Sequence, residues 1–196
     1  MKNLTIIVLA LLLSAAWLPA ASAAELAGVT LDDSITIGSN EVALAGMGIR
    51  TKTFLKVKVY VAGLYMENPG SDAGQIIGSD QAKAMVMQFL YKEVEGEKLQ
   101  EAWREGFDAN TLSPTDDLKK RMDRFVSLFT ESALKDEKYI FAYEPGKGTT
   151  ISLKGKVRAT IPGADFAGAL MAIWFGEKMG DGGLKALKDS LLEGTN

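Results

Sequence analysis

The 196 residues include no cysteine and no histidine. The first absence excludes disulfides and thiol nucleophiles. The second excludes a histidine general base and the commonest metal ligand. The acid pairs Asp32-Asp33 and Asp116-Asp117 lack any calcium-loop spacing and read as turn or helix-start residues. No metal and no cofactor is expected. Positive charge is not in excess either: 22 Lys and Arg stand against 25 Asp and Glu, for a net charge of −3. That balance argues against nucleic acid as a partner. There is no internal repeat and no low-complexity linker, and long uncharged apolar runs are missing everywhere except at the N-terminus.

That one run has the form of a leader. Lys2 gives a positive start, Ile6 to Leu13 is unbroken apolar sequence, and Ala21-Ser22-Ala23 is a small-x-small cleavage signal. Residues 1–23 therefore read as a secretory signal peptide. The alternative, a membrane anchor, needs a longer run and stop-transfer charges. Cleavage before Ala24 or Glu25 would leave residues 24–196, about 173 residues, which length alone assigns to a single domain. It also takes the net charge from −3 to −4, since the leader holds one lysine and no acid. The expectation is a periplasmic or secreted protein with no stable membrane span after cleavage.

The stretch from Leu44 to Glu67, LAGMGIRTKTFLKVKVYVAGLYME, organises the remainder. Gly46 to Arg50 reads as a tight glycine-rich segment, in which glycine lets the backbone bend or approach another chain closely. Phe54 to Met66 reads as a long strand. A period of two puts Val57, Val59 and Val61 on one face, with Lys56, Lys58, Tyr60, Ala62 and Leu64 on the other.

The order G-M-G-I-R-T-K followed by V-Y-V-A-G-L-Y-M-E resembles the chalcone isomerase superfamily, in particular the branch of fatty-acid-binding and bacterial chalcone-isomerase-like proteins. The resemblance extends more weakly from about Gly28 to the C-terminus. It implies an α+β fold, a large antiparallel β-sheet with a layer of α-helices packed on it.

The rest of the chain fits that fold. Val29 to Ile37 reads as a strand interrupted by Asp32-Asp33, then a Gly38-Ser39-Asn40 turn and a partner strand from Glu41 to Ala45. Residues 73–80 have room for one short helix. Ala84 to Tyr91 is apolar on both faces and belongs in the middle of a sheet. Gly96 to Asn110 is a helix that buries Leu99, Ala102, Trp103 and Phe107. Ser113-Pro114-Thr115-Asp116 opens another, with Ser113 as N-cap and Leu118, Met122, Phe125 and Phe129 as its buried stripe. Its Lys119, Lys120, Arg121 and Arg124 read as a solvated basic face. Lys138 to Tyr143 and Thr149 to Ala159 read as a hairpin. A buried helix from Asp165 to Phe175 and a last helix from Leu184 to Leu192 complete the chain.

The resemblance also implies chemistry. Catalytic relatives close a flavanone ring using an arginine, a strand threonine, a tyrosine and an asparagine from the middle helical region, and a late hydroxyl. The arginine matches Arg50. The strand threonine falls on Tyr60, the tyrosine on Glu95, the asparagine on Ala102 and the late hydroxyl on Ala167. Only the arginine survives, so Arg50 is the one catalytic candidate if the protein is an enzyme. The fatty-acid-binding branch instead uses an arginine and a tyrosine to hold a carboxylate. Guanidinium pairs with carboxylate through two parallel hydrogen bonds, and a phenol can donate a third. Arg50 and Tyr60 are therefore the ligand-binding candidates, with Met85, Met87 and Phe89 as candidate contacts for an acyl tail.

The expected partner is a small amphipathic ligand, such as a fatty acid, held without catalysis. An isomerase of the chalcone isomerase type, an intramolecular lyase, is the alternative, and an interaction module with a filled cleft is a third reading. For single residues the plainer roles stay open: Arg50 as a surface ion pair, Tyr60 packed at a sheet–helix boundary with its hydroxyl in water, and the methionines as ordinary core.

Overall fold

The structure, a computed structural model, describes residues 23–52 and 54–194. The leader lies outside the described residues. Seven strands form one antiparallel sheet: β3 (Ser34–Ile37), β4 (Asn40–Lys52), β5 (Val57–Met66), β6 (Lys83–Phe89), β9 (Lys138–Glu144), β10 (Gly148–Leu153) and β11 (Lys156–Ile161). Their spatial order is β11-β10-β9-β6-β5-β4-β3. β6 is the central strand, as its two-sided apolar sequence implies. Met85, Met87 and Phe89 face one core, while Ala84 and Val86 face another.

Five helices pack on the first face: α1 (Ala73–Gly78), α2 (Gly96–Asn110), α3 (Asp116–Val126), α4 (Ala164–Phe175) and α5 (Gly182–Glu193). α4 is apolar on every side, and Phe166 through Phe175 are all buried. It lies beneath α1 and α2 with no solvent face to keep polar. Trp103 of α2 is the hub of an aromatic cluster, with Phe125, Phe129, Phe141 and Trp174 within 6 Å between ring centroids. The opposite face of the sheet is covered by a separate hairpin, β1 (Ala23–Leu26) and β2 (Val29–Asp32), whose Val29 and Leu31 bury against Val61, Tyr65 and Val86. A two-stranded pair, β7 (Glu93–Val94) with β8 (Ala133–Leu134), follows on from the end of the β6–β9 ladder and leads into α2.

Several elements differ from the sequence reading. Val29–Ile37 is two strands in two sheets, because Asp33 breaks the ladder and its carbonyl accepts from Leu44 N–H at 2.7 Å instead. Thr149–Ala159 is likewise two strands. Lys154-Gly155 forms a tight turn with both φ angles positive, at 56° and 74°, the conformation a two-residue hairpin loop requires. Helix α3 is capped by Thr115, not Ser113: Thr115 Oγ1 accepts from Leu118 N–H at 3.2 Å, while the chain turns outside the helix at Ser113. Arg121 is not part of a solvated basic face. It holds Asp165 by two hydrogen bonds of 2.7 Å and Asp117 at 2.9 Å, tying α3 to α4.

The largest departure concerns the glycine-rich segment. Gly46 to Arg50 is not a tight turn but the middle of the 13-residue strand β4. Its glycines serve close approach, because α5 lies directly on them. A Cβ on Gly46 would sit 2.0 Å from the carbonyl oxygen of Leu191, and one on Gly48 would sit 2.8 Å from Leu187 Cδ1. Two irregularities then set which side chains share a face. Pairing steps from Leu44↔Tyr65 to Gly46↔Leu64, leaving Ala45 extra, and from Arg50↔Tyr60 to Thr51↔Lys58, leaving Val59 extra. Such bulges break the period of two. As a result Val57 and Val59 face the helices along with Tyr60, while Val61 faces the β1–β2 hairpin.

One buried cation needs a structural account. Lys83 is 1 % exposed, and its ammonium donates to the carbonyls of Ile76 at 2.6 Å and Ser79 at 2.8 Å. It thereby caps the C-terminal end of α1, where helix carbonyls lack partners. Burial pulls its pKa down to about 8. Burial also pushes Tyr65, Tyr139 and Tyr143 up to about 12. In the unfolded chain lysine titrates near 10.4 and tyrosine near 10. Between pH 8 and about 10 the unfolded chain binds the more protons at Lys83, so this residue makes stability rise with pH. Above about pH 10 the folded tyrosines hold protons that the unfolded chain has lost, and stability falls. Thermal melts across this range should show the rise in the wild type and its loss in Lys83→Met. An equal slope in both proteins would contradict this assignment.

Candidate functional site

The bulge at Val59 places Arg50 of β4 directly opposite Tyr60 of β5, both toward the helices. A cavity of about 790 Å³ opens at this point between the sheet, α2, α4 and the N-terminal end of α5. Its depth is apolar, formed by Met87 and Phe89 from β6, Leu99 and Trp103 from α2, Ile173 from α4 and Leu184 from α5. Its mouth carries charges of both signs, including Lys52, Lys92, Glu93, Lys98 and Lys178. An apolar pocket with a few polar groups converging on it is the usual form of a small-molecule site.

Arg50 is held by a carboxylate of its own chain. Its Nη1 donates to Asp181 Oδ1 at 2.7 Å and its Nη2 to Asp181 Oδ2 at 2.6 Å, and Nη1 also donates to the Thr51 carbonyl. Asp181 is in turn the N-cap of α5, accepting from Leu184 N–H at 2.9 Å. The Arg50 hydrogen bonds, followed by those from the helix backbone, hold its carboxyl below the usual range against the opposing effect of burial. The guanidinium is oriented but not exhausted. It has five N–H donors, and among the described residues Nε and the second hydrogen on Nη2 have no partner. These two lie along the adjacent edge of the fork, which is itself a bidentate edge.

Tyr60 presents the second group. Its hydroxyl oxygen accepts from Trp174 Nε1 at 3.2 Å, and its own hydrogen has no acceptor among the described residues. Burial raises its pKa above the ordinary value. The Trp174 bond and the Arg50 charge pull the other way, and Asp181 adds to the rise. Tyr60 is therefore a neutral O–H donor at neutral pH. The indole N–H of Trp103 is fully buried and has no hydrogen-bond partner among the described residues. Its ring is packed among Phe125, Phe129, Phe141 and Trp174, so the N–H itself does not reach the cavity. Among the described residues no group of three or more acidic, histidine or cysteine side chains converges on a metal position.

Arg50, Tyr60, Met87 and Phe89 thus line one cavity, and so do Glu95 and Ala102. Met85 does not line it. It points to the same face as Met87 but is packed fully inside the core. Ala167 is buried in α4 away from the cavity, where Ile173 is the lining residue instead.

A family model for chalcone isomerase-like proteins matches residues 23–192. The chain belongs to the chalcone isomerase-like family. Among solved structures, the chain is similar to the fatty-acid binding protein AtFAP1 of Arabidopsis thaliana, with a TM-score of 0.68 and 16% identity. That similarity covers 88% of this chain and 96% of the other. A search of curated proteins found no match. Within this chalcone isomerase-like fold, the pair that the family resemblance singled out is a cross-strand pair on a cavity wall.

Asp181, Trp103 and Trp174 were not legible as site residues. Asp181 follows a glycine and precedes a helix, which is an N-cap signal. Nothing local in the sequence says that this cap closes on an arginine 131 positions away.

Proposed function

We propose that this chalcone isomerase-like protein is a non-catalytic binder of a small amphipathic carboxylate, and that the ligand is a fatty acid. The observation that carries this reading is a pair of cross-strand neighbours on the wall of a 790 Å³ cavity of apolar depth: Arg50, with donors to spare, and Tyr60, whose hydroxyl hydrogen has no acceptor among the described residues. A carboxylate there would gain charge-assisted hydrogen bonds of about 1.5–3 kcal/mol each. Its tail would gain about 0.8 kcal/mol for each buried CH₂ against Met87, Phe89, Leu99 and Ile173. The similarity in fold to the fatty-acid binding protein AtFAP1 supports the same choice of ligand. The non-catalytic reading rests on Glu95 and Ala102, which line the cavity where ring closure would use orienting tyrosine and asparagine groups. An open cavity with Arg50 in its wall also speaks against an interaction module with a filled cleft.

We place the mature protein in the periplasm or outside the cell, on the strength of the Lys2, Ile6–Leu13 and Ala21-Ser22-Ala23 leader. The test of binding is calorimetric titration of delipidated protein with a chain-length series of fatty acids. Affinity should rise with chain length until the cavity is filled. No binding across the series would overturn the reading.

Asp181 gives a sharper result. Its carboxylate shares the guanidinium that a ligand carboxylate would use, and like charges at that range oppose each other. Asp181→Asn removes the charge and keeps a good N-cap residue on α5. Fatty-acid affinity should rise by about tenfold, or ~1.4 kcal/mol, while stability falls by about 1 kcal/mol, because Arg50, with 12% of its side chain in solvent, loses its countercharge. Unchanged or weaker binding would mean that Asp181 does not compete with the ligand.

A further inference from the structure

At the tip of the β4–β5 hairpin stand Lys52, Phe54, Leu55 and Lys56, followed by Val57 and Lys58. Phe54 is 91% exposed and Leu55 is 70% exposed, so neither contributes to a core. Single exposed apolar residues are common, but here two bulky ones sit side by side at a hairpin tip between lysines. The charge pattern is one-sided. From Val42 through Met66 there is no Asp or Glu, while Arg50, Lys52, Lys56 and Lys58 are all basic, in a chain whose net charge is −3.

A second element adds to the same end of the sheet. Tyr91, 40% exposed, donates its backbone N–H to the carbonyl of Val59 at 3.1 Å, and Lys92 follows it. The cavity opens here, since Lys52, Val57, Tyr91 and Lys92 all line it; Glu93 and Glu95 line it too, so the mouth is of mixed charge and the basic excess lies on the hairpin tip. Exposed aromatic and aliphatic side chains ringed by lysines are what the boundary between lipid headgroups and acyl chains accommodates. Basic residues flanking them are attracted to an anionic surface. An inserted apolar group together with a basic patch supplies the two signals that reversible membrane attachment needs.

We propose that this tip, Phe54 and Leu55 with Lys52, Lys56 and Lys58, docks the protein on an anionic bilayer surface with the cavity mouth facing the lipid. Docking in this orientation lets an acyl tail pass between bilayer and cavity without exposing its length to water, an exposure that grows with every CH₂. The transfer role rests on the ligand reading above. The docking itself does not.

The test is co-sedimentation with vesicles, using the chain from Ala23 onward. Every described strand and helix lies in that piece, and the family match begins there, so the apolar leader cannot contribute. Phosphatidylcholine–phosphatidylglycerol vesicles and pure phosphatidylcholine vesicles are the two probes. The wild type should bind the anionic vesicles, and salt should weaken that binding. Phe54→Ser with Leu55→Ser should lose about tenfold or more of it. Lys56→Glu with Lys58→Glu should lose the preference for the anionic lipid. These residues are exposed, so far-UV circular dichroism and melting should match the wild type, and fatty-acid titration in solution should be unchanged. Absence of wild-type binding to anionic vesicles, or equal binding by the Ser pair, overturns the proposal. Self-association that the Ser pair abolishes, without vesicle binding, assigns the tip to a second copy and also overturns it.

Discussion

Arg50→Ala should weaken fatty-acid binding by roughly 3 kcal/mol, on the order of a hundredfold. The substitution removes the fixed charge and both donors of the unpartnered edge. It also leaves the Asp181 carboxylate at the site with no countercharge, so a ligand carboxylate then meets repulsion. Arg50→Lys keeps the charge without the planar fork and should recover only part of the loss. Tyr60→Phe removes one donor, at about 1 kcal/mol. Folding should survive all three. Arg50 does bind β4 to the start of α5, but Asp181 is partly exposed, with 38% of its side chain in solvent, so water can take up its charge. A cost of about 1 kcal/mol in stability is expected. Unchanged affinity in Arg50→Ala would remove the carboxylate anchor from the account.

Gly46→Ala should destabilise the fold by about 3 kcal/mol or more, although alanine is the smallest possible replacement. The new Cβ would meet the backbone of α5, 2.0 Å from Leu191 O and 2.8 Å from its carbonyl carbon. No side-chain rotation relieves a clash with main chain, so α5 must move away from β4. Gly48→Ala meets side chains first, Leu187 Cδ1 at 2.8 Å and Ser190 Cβ at 3.0 Å, and should cost less, about 1 kcal/mol. The two differ in ligand binding as well. Moving α5 carries Asp181 and Leu184 away from the cavity, so Gly46→Ala should weaken binding even in the fraction that remains folded. Urea denaturation of both variants measures the difference. A Gly46→Ala protein as stable as the wild type would show that the helix does not rest on this strand as described.

These two glycines also show what a sequence conveys and what it withholds. The pair marks a place where a side chain cannot be tolerated, and close approach to another segment was one reading of it. The partner, α5, comes from more than 130 residues later, and no local pattern names it. The same limit hides Asp181. The central position of β6 was legible because both faces of Ala84–Phe89 are apolar. The helices α2, α4 and α5 were legible from their periodicity or their uniform burial. The faces of β5 were not, because one extra residue at Val59 reverses the alternation, and a bulge without a glycine leaves no mark in composition. The Lys154-Gly155 turn lies inside an apparently continuous strand, although a glycine there is the ordinary hairpin signal. Among the candidate residues, Arg50 and Tyr60 were legible only through the family motif. Composition alone leaves an arginine near a turn as an ion pair, and with Asp181 that is also what it is.

The proposed recognition of a carboxylate by Arg50 is separated from tail burial by titrating wild type and Arg50→Ala with a fatty acid and with the alcohol of the same chain length. The tail contributes equally to both ligands, so their ratio isolates the head group. The wild type should favour the acid by about tenfold or more, and Arg50→Ala should show no preference or a reversed one. The same acid-to-alcohol ratio in both proteins would contradict the account.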